Sequence, residues 1–245
     1  MAGRIDVNAD LGESFGAWTM GADEELLGLV SSANVACGFH AGDPMVMDRT
    51  VARAVQAGVA LGAHPGYFDL RGFGRREIAA SPSEVEADVI YQVGALAAFA
   101  RSHGARLVHV KPHGALYNQA AADEGLARAI ARATARVDRE LVLVGLASSA
   151  VTRRAAEAFA DRAYEPDGSL RPRRLPGAVI TDPEQAAAQA LEIAREGRAE
   201  TICVHGDNPH ALAIARAVRR AFDTAGIEVR ALAALPQYST KASSG

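Results

Sequence analysis

Short apolar runs recur along the whole chain, and each stops abruptly at a polar, Gly-rich turn. The runs at 4–8, 33–37, 58–63, 106–111, 140–146, 157–162 and 200–205 read as buried strands, because near-continuous apolar stretches of that length suit a sheet covered on both faces. Helical patterning lies between them. Pro44 to Gln56 follows Asp43, an N-cap with proline at the first helical position. Ser81 to Ser102 opens Ser-Pro-Ser-Glu and then places Val85, Val89, Val93, Leu96 and Ala100 on one face. Asp182 to Glu196 and Asn208 to Ala225 open with Asp-Pro and Asn-Pro, and Gly58, Gly104, Gly197 and Gly226 mark helix stops. Strand and helix alternate throughout, which predicts a parallel sheet with right-handed crossovers. About seven such units suit a (β/α)7 barrel, closed or nearly so, of the distorted TIM type, with an open doubly wound sheet as the alternative. No linker or repeat divides the chain, so 1–238 reads as a single catalytic barrel domain and the small, polar stretch 239–245 as a disordered tail.

The ends of these runs carry the chemistry. Four of the seven histidines, His40, His64, His113 and His205, stand where an apolar run ends in a turn, the edge at which parallel barrels display catalytic groups. The first run ends on Asn8, Asp10 and Glu13. Asn8 and Asp10 share a strand face because side chains alternate with period two, and the group reads as carboxylates for base or metal work with Asn8 as a donor, against a plain turn-forming role. Asp43 and Asp207 each precede a helix, so N-capping competes with any site role. The loop HPGYFDLRGFGRRE is long and Gly-rich and carries Arg71, Arg75 and Arg76, whose forked donors suit carboxylate or phosphate unless the loop is merely solvated. Lys111 ends an apolar strand, where burial is costly without a partner, and Tyr117 lies one helical turn beyond His113. Asp161 and Arg162 fall in FADRAYEPDG, the least periodic stretch of the chain.

Composition narrows the field. The chain has 245 residues and a net charge of −3, with no basic surplus for nucleic acid or membrane surfaces. Nothing at the N-terminus reads as a signal peptide and no stretch reads as a membrane span, so the expected location is the cytoplasm. Cys37 and Cys203 both lie in strand-like runs and read as small buried hydrophobes, with Cys37 as a nucleophile near His40 the sharper alternative. Walker, Rossmann and HExxH motifs are all absent.

The stretches NADLGESFG, SANVACGFHAGDP, GAHPGYFDLRGFGRR, VKPHGALYN, FADRAYEPDG, PGAVITDP and ICVHGDNP, in that order over nearly the whole chain, resemble the LamB/YcsF family of bacterial 5-oxoprolinase A subunits. The resemblance implies a barrel of the glycoside hydrolase/deacetylase type. It also implies ATP-dependent opening of 5-oxo-L-proline to L-glutamate, together with separate B and C subunits. Carried over by motif, Asp10, Glu13, His40, His64, Lys111 and His113 are the expected catalytic residues. Asn8, Arg75, Tyr117, Asp161, Arg162 and His205 are the expected substrate- or phosphate-binding residues. A five-membered lactam resists opening, so phosphorylating its amide oxygen would drive the reaction. That chemistry needs cations for phosphate (Lys111, Arg75), a base for water (Asp10 or a histidine) and an acid for the ring nitrogen. The competing readings are a metal-dependent hydrolase or deacetylase of a carbohydrate-like substrate, with Asp10, His40 and His64 holding a divalent ion, and a non-catalytic scaffold.

One segment departs from the family pattern. Only VTRRAAEA separates LVLVGLASSA from FADRAY, and the usual loop before ETICVHGD is missing. A short or distorted helix confined to Ser148–Glu157 is expected, with Asp161 and Arg162 still facing the site.

Overall fold

The computed structural model describes residues 3–147 and 155–232. Its strands are β1 (Arg4–Leu11), β2 (Ser32–Ala36), β3 (Ala60–His64), β4 (Leu107–Val110), β5 (Val142–Leu146), β6 (Ala155–Phe159), β7 (Thr201–Val204) and the short β8 (Glu228–Val229). Strands β1 to β7 are parallel and pair in sequence order, and β7 and β2 both pair with β1, which closes a seven-stranded barrel. β8 adds two residues beside Arg4 and Ile5 at the start of β1. Closure leaves no sheet edge within the ring.

The helices are α1 (Asp23–Leu27), α2 (Pro44–Gln56), α3 (Pro82–Ser102), α4 (Gly114–Ala122), α5 (Glu124–Val137), α6 (Pro183–Glu196) and α7 (Ala211–Thr224). α2 and α3 start where their caps predict: Asp43 accepts from the Met45 and Val46 amides, and Ser81 and Glu84 form a reciprocal capping box. The Asx cap at Asp182 holds α6 in the same way. α4 and α5 stand where the periodicity reading names no helix. α7 begins at Ala211, three residues later than expected; Asn208, ahead of it, accepts from the His210 amide and donates to Asp161.

Packing splits each strand into two faces. On β1, Ile5, Val7, Ala9 and Leu11 face outward into the apolar core, where they meet the buried faces of the helices. That layer includes Val51, Val89, Val93, Leu96, Ile130, Ile193, Ile214, Val218 and Phe222. Asp6, Asn8 and Asp10 alternate with the apolar set and face inward. Barrel interiors are ordinarily filled by branched apolar side chains. Here the interior is largely polar.

The expected strand at 157–162 lies instead at Ala155–Phe159, with Glu157 opposite Leu146 and Thr201. The Phe159 amide donates to the Tyr164 hydroxyl, and the chain then leaves the sheet before Asp161. The helix expected to reach Glu157 is therefore corrected at Ala155–Glu157, which are strand, and its remainder lies outside the described residues. The stretch 239–245 also lies outside the described residues. Among the described residues no helix is long and apolar enough to cross a membrane.

Candidate active site

Inside the barrel the inward side chains form a continuous hydrogen-bonded stack. At the bottom, Asp6 accepts from Ser31 (2.7 Å), Ser32 (2.7 Å) and Thr201 (2.5 Å). One layer up, Asn8 donates to Glu157 (3.1 Å) and Thr201 (2.6 Å) and accepts from Asn34 (2.6 Å). Asn34 also donates to Asp10 (2.8 Å) and accepts from His109 (2.7 Å). His109 reaches Asn34 by crossing β3 at Gly62, where any Cβ would collide with the imidazole ring. Burial, and then the charge of Lys111, push His109 down to about 3, so it sits in the stack as a neutral ring.

Lys111 is the cation at the centre. Its Nζ lies 2.8 Å from Asp10, 3.0 Å from Glu157 and 2.9 Å from the Cys203 sulfur. Burial alone would lower its pKa, but Asp10, Cys203 and Glu157 more than offset this and hold it well above the ordinary lysine value. Burial pushes Asp10 up, and His64 and Lys111 beside it drive it well below the usual carboxylate range. Asp10 is therefore an ionised carboxylate at the cavity floor, paired with an ammonium.

At the rim, where β1 to β4 end, Glu13, His40, His64 and His113 converge. His64 Nε2 is 3.4 Å from Asp10 and 3.0 Å from His113 Nδ1. Glu13 Oε1 is 3.3 Å from His40 Nε2 and 3.5 Å from His113 Nδ1. The rings of His40 and His113 stack at 3.7 Å. Burial, and then the carboxylates of Asp10 and Asp207, raise Glu13 well above its ordinary value. Burial, and then the neighbouring histidines, hold His40 and His113 well below theirs. The donor atoms of these four lie within 4.8 Å of one another, as do those of Asp10, Cys203 and His205, so both groups have the composition to hold a divalent cation. The ligand set expected from sequence, Asp10 with His40 and His64, is thus split between two clusters.

Above the floor opens a cavity of about 820 Å³, lined by Asp10, His64, Lys111, His113, Tyr117, Phe159, Arg162 and His205 and, at its mouth, by Arg75, Arg173 and Arg174. His205 donates its Nδ1–H to the Asp161 carboxylate (2.8 Å) and stacks on Phe159 (5.0 Å between centroids). Burial raises Asp161, but the facing His205 more than compensates and leaves it below its ordinary value. A carboxylate on Nδ1 leaves Nε2 of a neutral His205 unprotonated, a suitable proton acceptor.

The expected residues fall into two sets. Asp10, His64, Arg75, Lys111, His113, Tyr117, Arg162 and His205 line the cavity. Asn8, Glu13, His40 and Asp161 are not in its wall, and each is engaged with a neighbouring side chain. Asn8 is corrected from a substrate donor to a strut, since its amide and carbonyl are both spent inside the barrel. Tyr117 points its hydroxyl at Glu157 (2.8 Å), and Arg162 donates to the Arg171 (2.7 Å) and Ala178 (3.2 Å) carbonyls. Of the three loop arginines only Arg75 lines the cavity, and Arg76 pairs with Asp69. Asp43 is an N-cap, whereas Asp207 pairs with Arg75 (2.6 Å). Cys37 is corrected as a nucleophile: it is buried, and burial pushes its thiol up to about 12. Cys203 is more than a small hydrophobe, because it faces Lys111. Asn34, His109, Glu157, Arg173 and Arg174 were not singled out for the site by the motifs. The signal for the first three is polar residues at alternate positions of otherwise apolar strands.

Similarity to known proteins agrees with this architecture. The model of the LamB/YcsF family matches residues 5–237. The chain belongs to the LamB/YcsF family. LamB/YcsF relatives at high identity include the 5-oxoprolinase A subunit of Heliobacterium modesticaldum, 55% identical over 248 residues that cover 93% of this chain and 98% of that protein. The 5-oxoprolinase A subunit of Methylococcus capsulatus is 54% identical over 252 residues, covering 95% and 97%. Among solved structures, a lactam utilization protein from Thermus thermophilus matches with a TM-score of 0.87 at 50% identity, over 93% of this chain and 99% of that one. A family 4 carbohydrate esterase from Streptomyces lividans matches at 12% identity and a TM-score of 0.55, over 93% and 91%, and shares the fold alone with this LamB/YcsF chain.

Proposed function

We propose that this chain is the A component of a multi-subunit 5-oxoprolinase that opens 5-oxo-L-proline to L-glutamate at the expense of ATP. The observation that supports this most is that relatives named as 5-oxoprolinase A subunits match nearly end to end at more than half identity. The cavity suits such a substrate. 5-Oxoproline is a small lactam with one carboxylate, and Arg75, Arg173 and Arg174 offer cationic partners at the mouth. The site supports the proton steps as well. In this reading ATP phosphorylates the amide oxygen, and a water activated by Asp10 or His205 adds to the ring carbonyl carbon. The C–N bond then breaks as the nitrogen takes a proton from a histidine. A second water releases phosphate from the resulting acyl phosphate, so one ATP and two waters yield glutamate, ADP and phosphate. Residues 1–238 would act as one catalytic domain in the cytoplasm, with B and C subunits as partners.

The test is glutamate release from 5-oxoproline and ATP by the purified chain, with and without its candidate partner chains. Release that needs ATP, this chain and the partners supports the proposal, and release unaffected by omitting this chain contradicts it. A second reading, a metal-dependent deacetylase of a carbohydrate-like substrate, is favoured by the Glu13/His40/His64/His113 cluster. Acetate release from acetylated sugars, without glutamate release in the first assay, would select it.

A further inference from the structure

We propose that Glu13, His64 and His113, flanked by His40, form a binding site for one divalent transition-metal ion of the Zn²⁺ class. The argument begins with two backbone carbonyls. His64 Nδ1 lies 2.6 Å from the Lys111 carbonyl oxygen, and His113 Nε2 lies 2.8 Å from the Phe73 carbonyl oxygen. A carbonyl only accepts, so each of these nitrogens carries a proton, and the opposite nitrogen of each ring is the one left to face a cation. Those two nitrogens, His64 Nε2 and His113 Nδ1, face each other at 3.0 Å. With a proton on one of them they share a hydrogen bond, and with both bare they repel unless a cation lies between or beside them.

A carboxyl oxygen adds a third ligand atom. Glu13 Oε1 lies 3.5 Å from the same His113 Nδ1 and 3.3 Å from His40 Nε2. A tetrahedral ion with arms of about 2.0–2.1 Å separates its ligand atoms by roughly 3.3–3.4 Å. The observed separations of 3.0 Å between the two nitrogens and 3.5 Å between His113 and Glu13 bracket that edge. His40 stacks face to face on His113 and so lies beside the ion rather than on it. Two imidazole nitrogens with one carboxylate oxygen, a fourth position left open, favour zinc and its neighbours over magnesium or calcium, which take oxygen.

The protein also holds the ligands as metal sites hold theirs, through a second set of contacts. Phe73 adopts a left-handed conformation (φ 55°), uncommon for a bulky residue, and in it the carbonyl meets His113. Gly74 lies so close to the stacked pair that a Cβ there would come within 2.8 Å of His40 and 2.9 Å of His113. The second cluster, Asp10 with Cys203 and His205, makes the contrast. There Lys111 Nζ already stands 2.8 Å from Asp10 and 2.9 Å from Cys203, so that cluster has its cation. When bound, the ion would supply Lewis acidity beside Asp10 at the cavity floor.

The test needs no turnover, so its outcome is independent of the 5-oxoprolinase reading. The full chain is stripped with a chelator, loaded with Zn²⁺, desalted and analysed for retained metal, with Tm and the visible spectrum of the Co²⁺-loaded chain measured in parallel. The expected result is about one ion per chain and a raised Tm. His113→Ala and Glu13→Gln should each weaken retention at least ~10-fold, and Cys203→Ala should leave it unchanged. Glu13→Gln preserves side-chain shape, and circular dichroism establishes that it is folded should His113→Ala not be. Less than about a tenth of an ion per folded wild-type chain would overturn the proposal. So would retention that survives Glu13→Gln but is lost in Cys203→Ala.

Discussion

At the residue scale, Lys111 shows how context changes a reading. From sequence it is a lysine at a strand end, costly to bury without a partner and offered as a cation for phosphate. In the fold it is 2% exposed and is the ammonium that two buried carboxylates, Asp10 and Glu157, share. Removing one partner of such a group leaves uncompensated charge in a dry interior, which typically costs about 3–5 kcal/mol. Lys111→Met should therefore lower the free energy of unfolding by about that much, and Lys111→Met/Glu157→Gln should recover part of the loss, both read from urea denaturation. A loss below about 1 kcal/mol in the single variant would mean that the two acids are protonated in the folded chain. The histidines at strand ends were legible because their positions repeat. The partners of Lys111 were not, since they come from three other strands and only closure of the barrel brings them together.

At the element scale, α2 and α3 follow from local chemistry: cap, proline and apolar spacing suffice for their starts. β6 does not. The stretch 157–162 has the composition of a strand, but pairing with β5 and β7 sets the element two residues earlier. Register is a property of neighbours, which a single run of residues does not contain. β3 carries a similar dependence in Gly62. It packs no side chain inward, and the His109 imidazole occupies that space on its way to Asn34. Gly62→Ala should displace His109, break its bond to Asn34 and destabilise the chain by about 2–3 kcal/mol. His109→Ala in the same chain should reduce that penalty, giving a coupling energy of at least about 1 kcal/mol in a double-mutant cycle. Additive effects would show that the ring does not fill the space over Gly62.

At the scale of the whole molecule, an apolar layer outside the strands supports a polar stack inside them. The outer layer was readable as strands and helices of ordinary periodicity. The inner one was hidden because no strand contributes more than a few polar residues, and β3 and β6 contribute only His64 and Glu157. The stack should leave a pH signature at its base. Burial raises Asp6 from 3.8 to about 6, while its hydroxyl donors pull the other way. Because the folded pKa lies above the unfolded one, this contribution to stability is fully present below about 4 and is lost as pH rises through about 6. The shift corresponds to roughly 3 kcal/mol. Compared with Asp6→Asn, the wild type should thus lose stability between pH 4 and 7, by about 2–3 kcal/mol in urea titrations. Parallel curves, or a wild type that gains on the variant, would contradict a buried, proton-binding Asp6.

The claim on which the functional reading depends is that ring opening takes place over the Asp10 carboxylate of this chain. Asp10→Asn keeps the shape of the side chain and removes its charge, and Glu157 remains to pair with Lys111. The most direct measurement is the rate of glutamate release from 5-oxoproline and ATP by the complex reconstituted with this variant, beside circular dichroism to establish its fold. The account predicts a folded variant and a rate at least ~100-fold below wild type. A folded variant that releases glutamate at the wild-type rate would place the chemistry elsewhere.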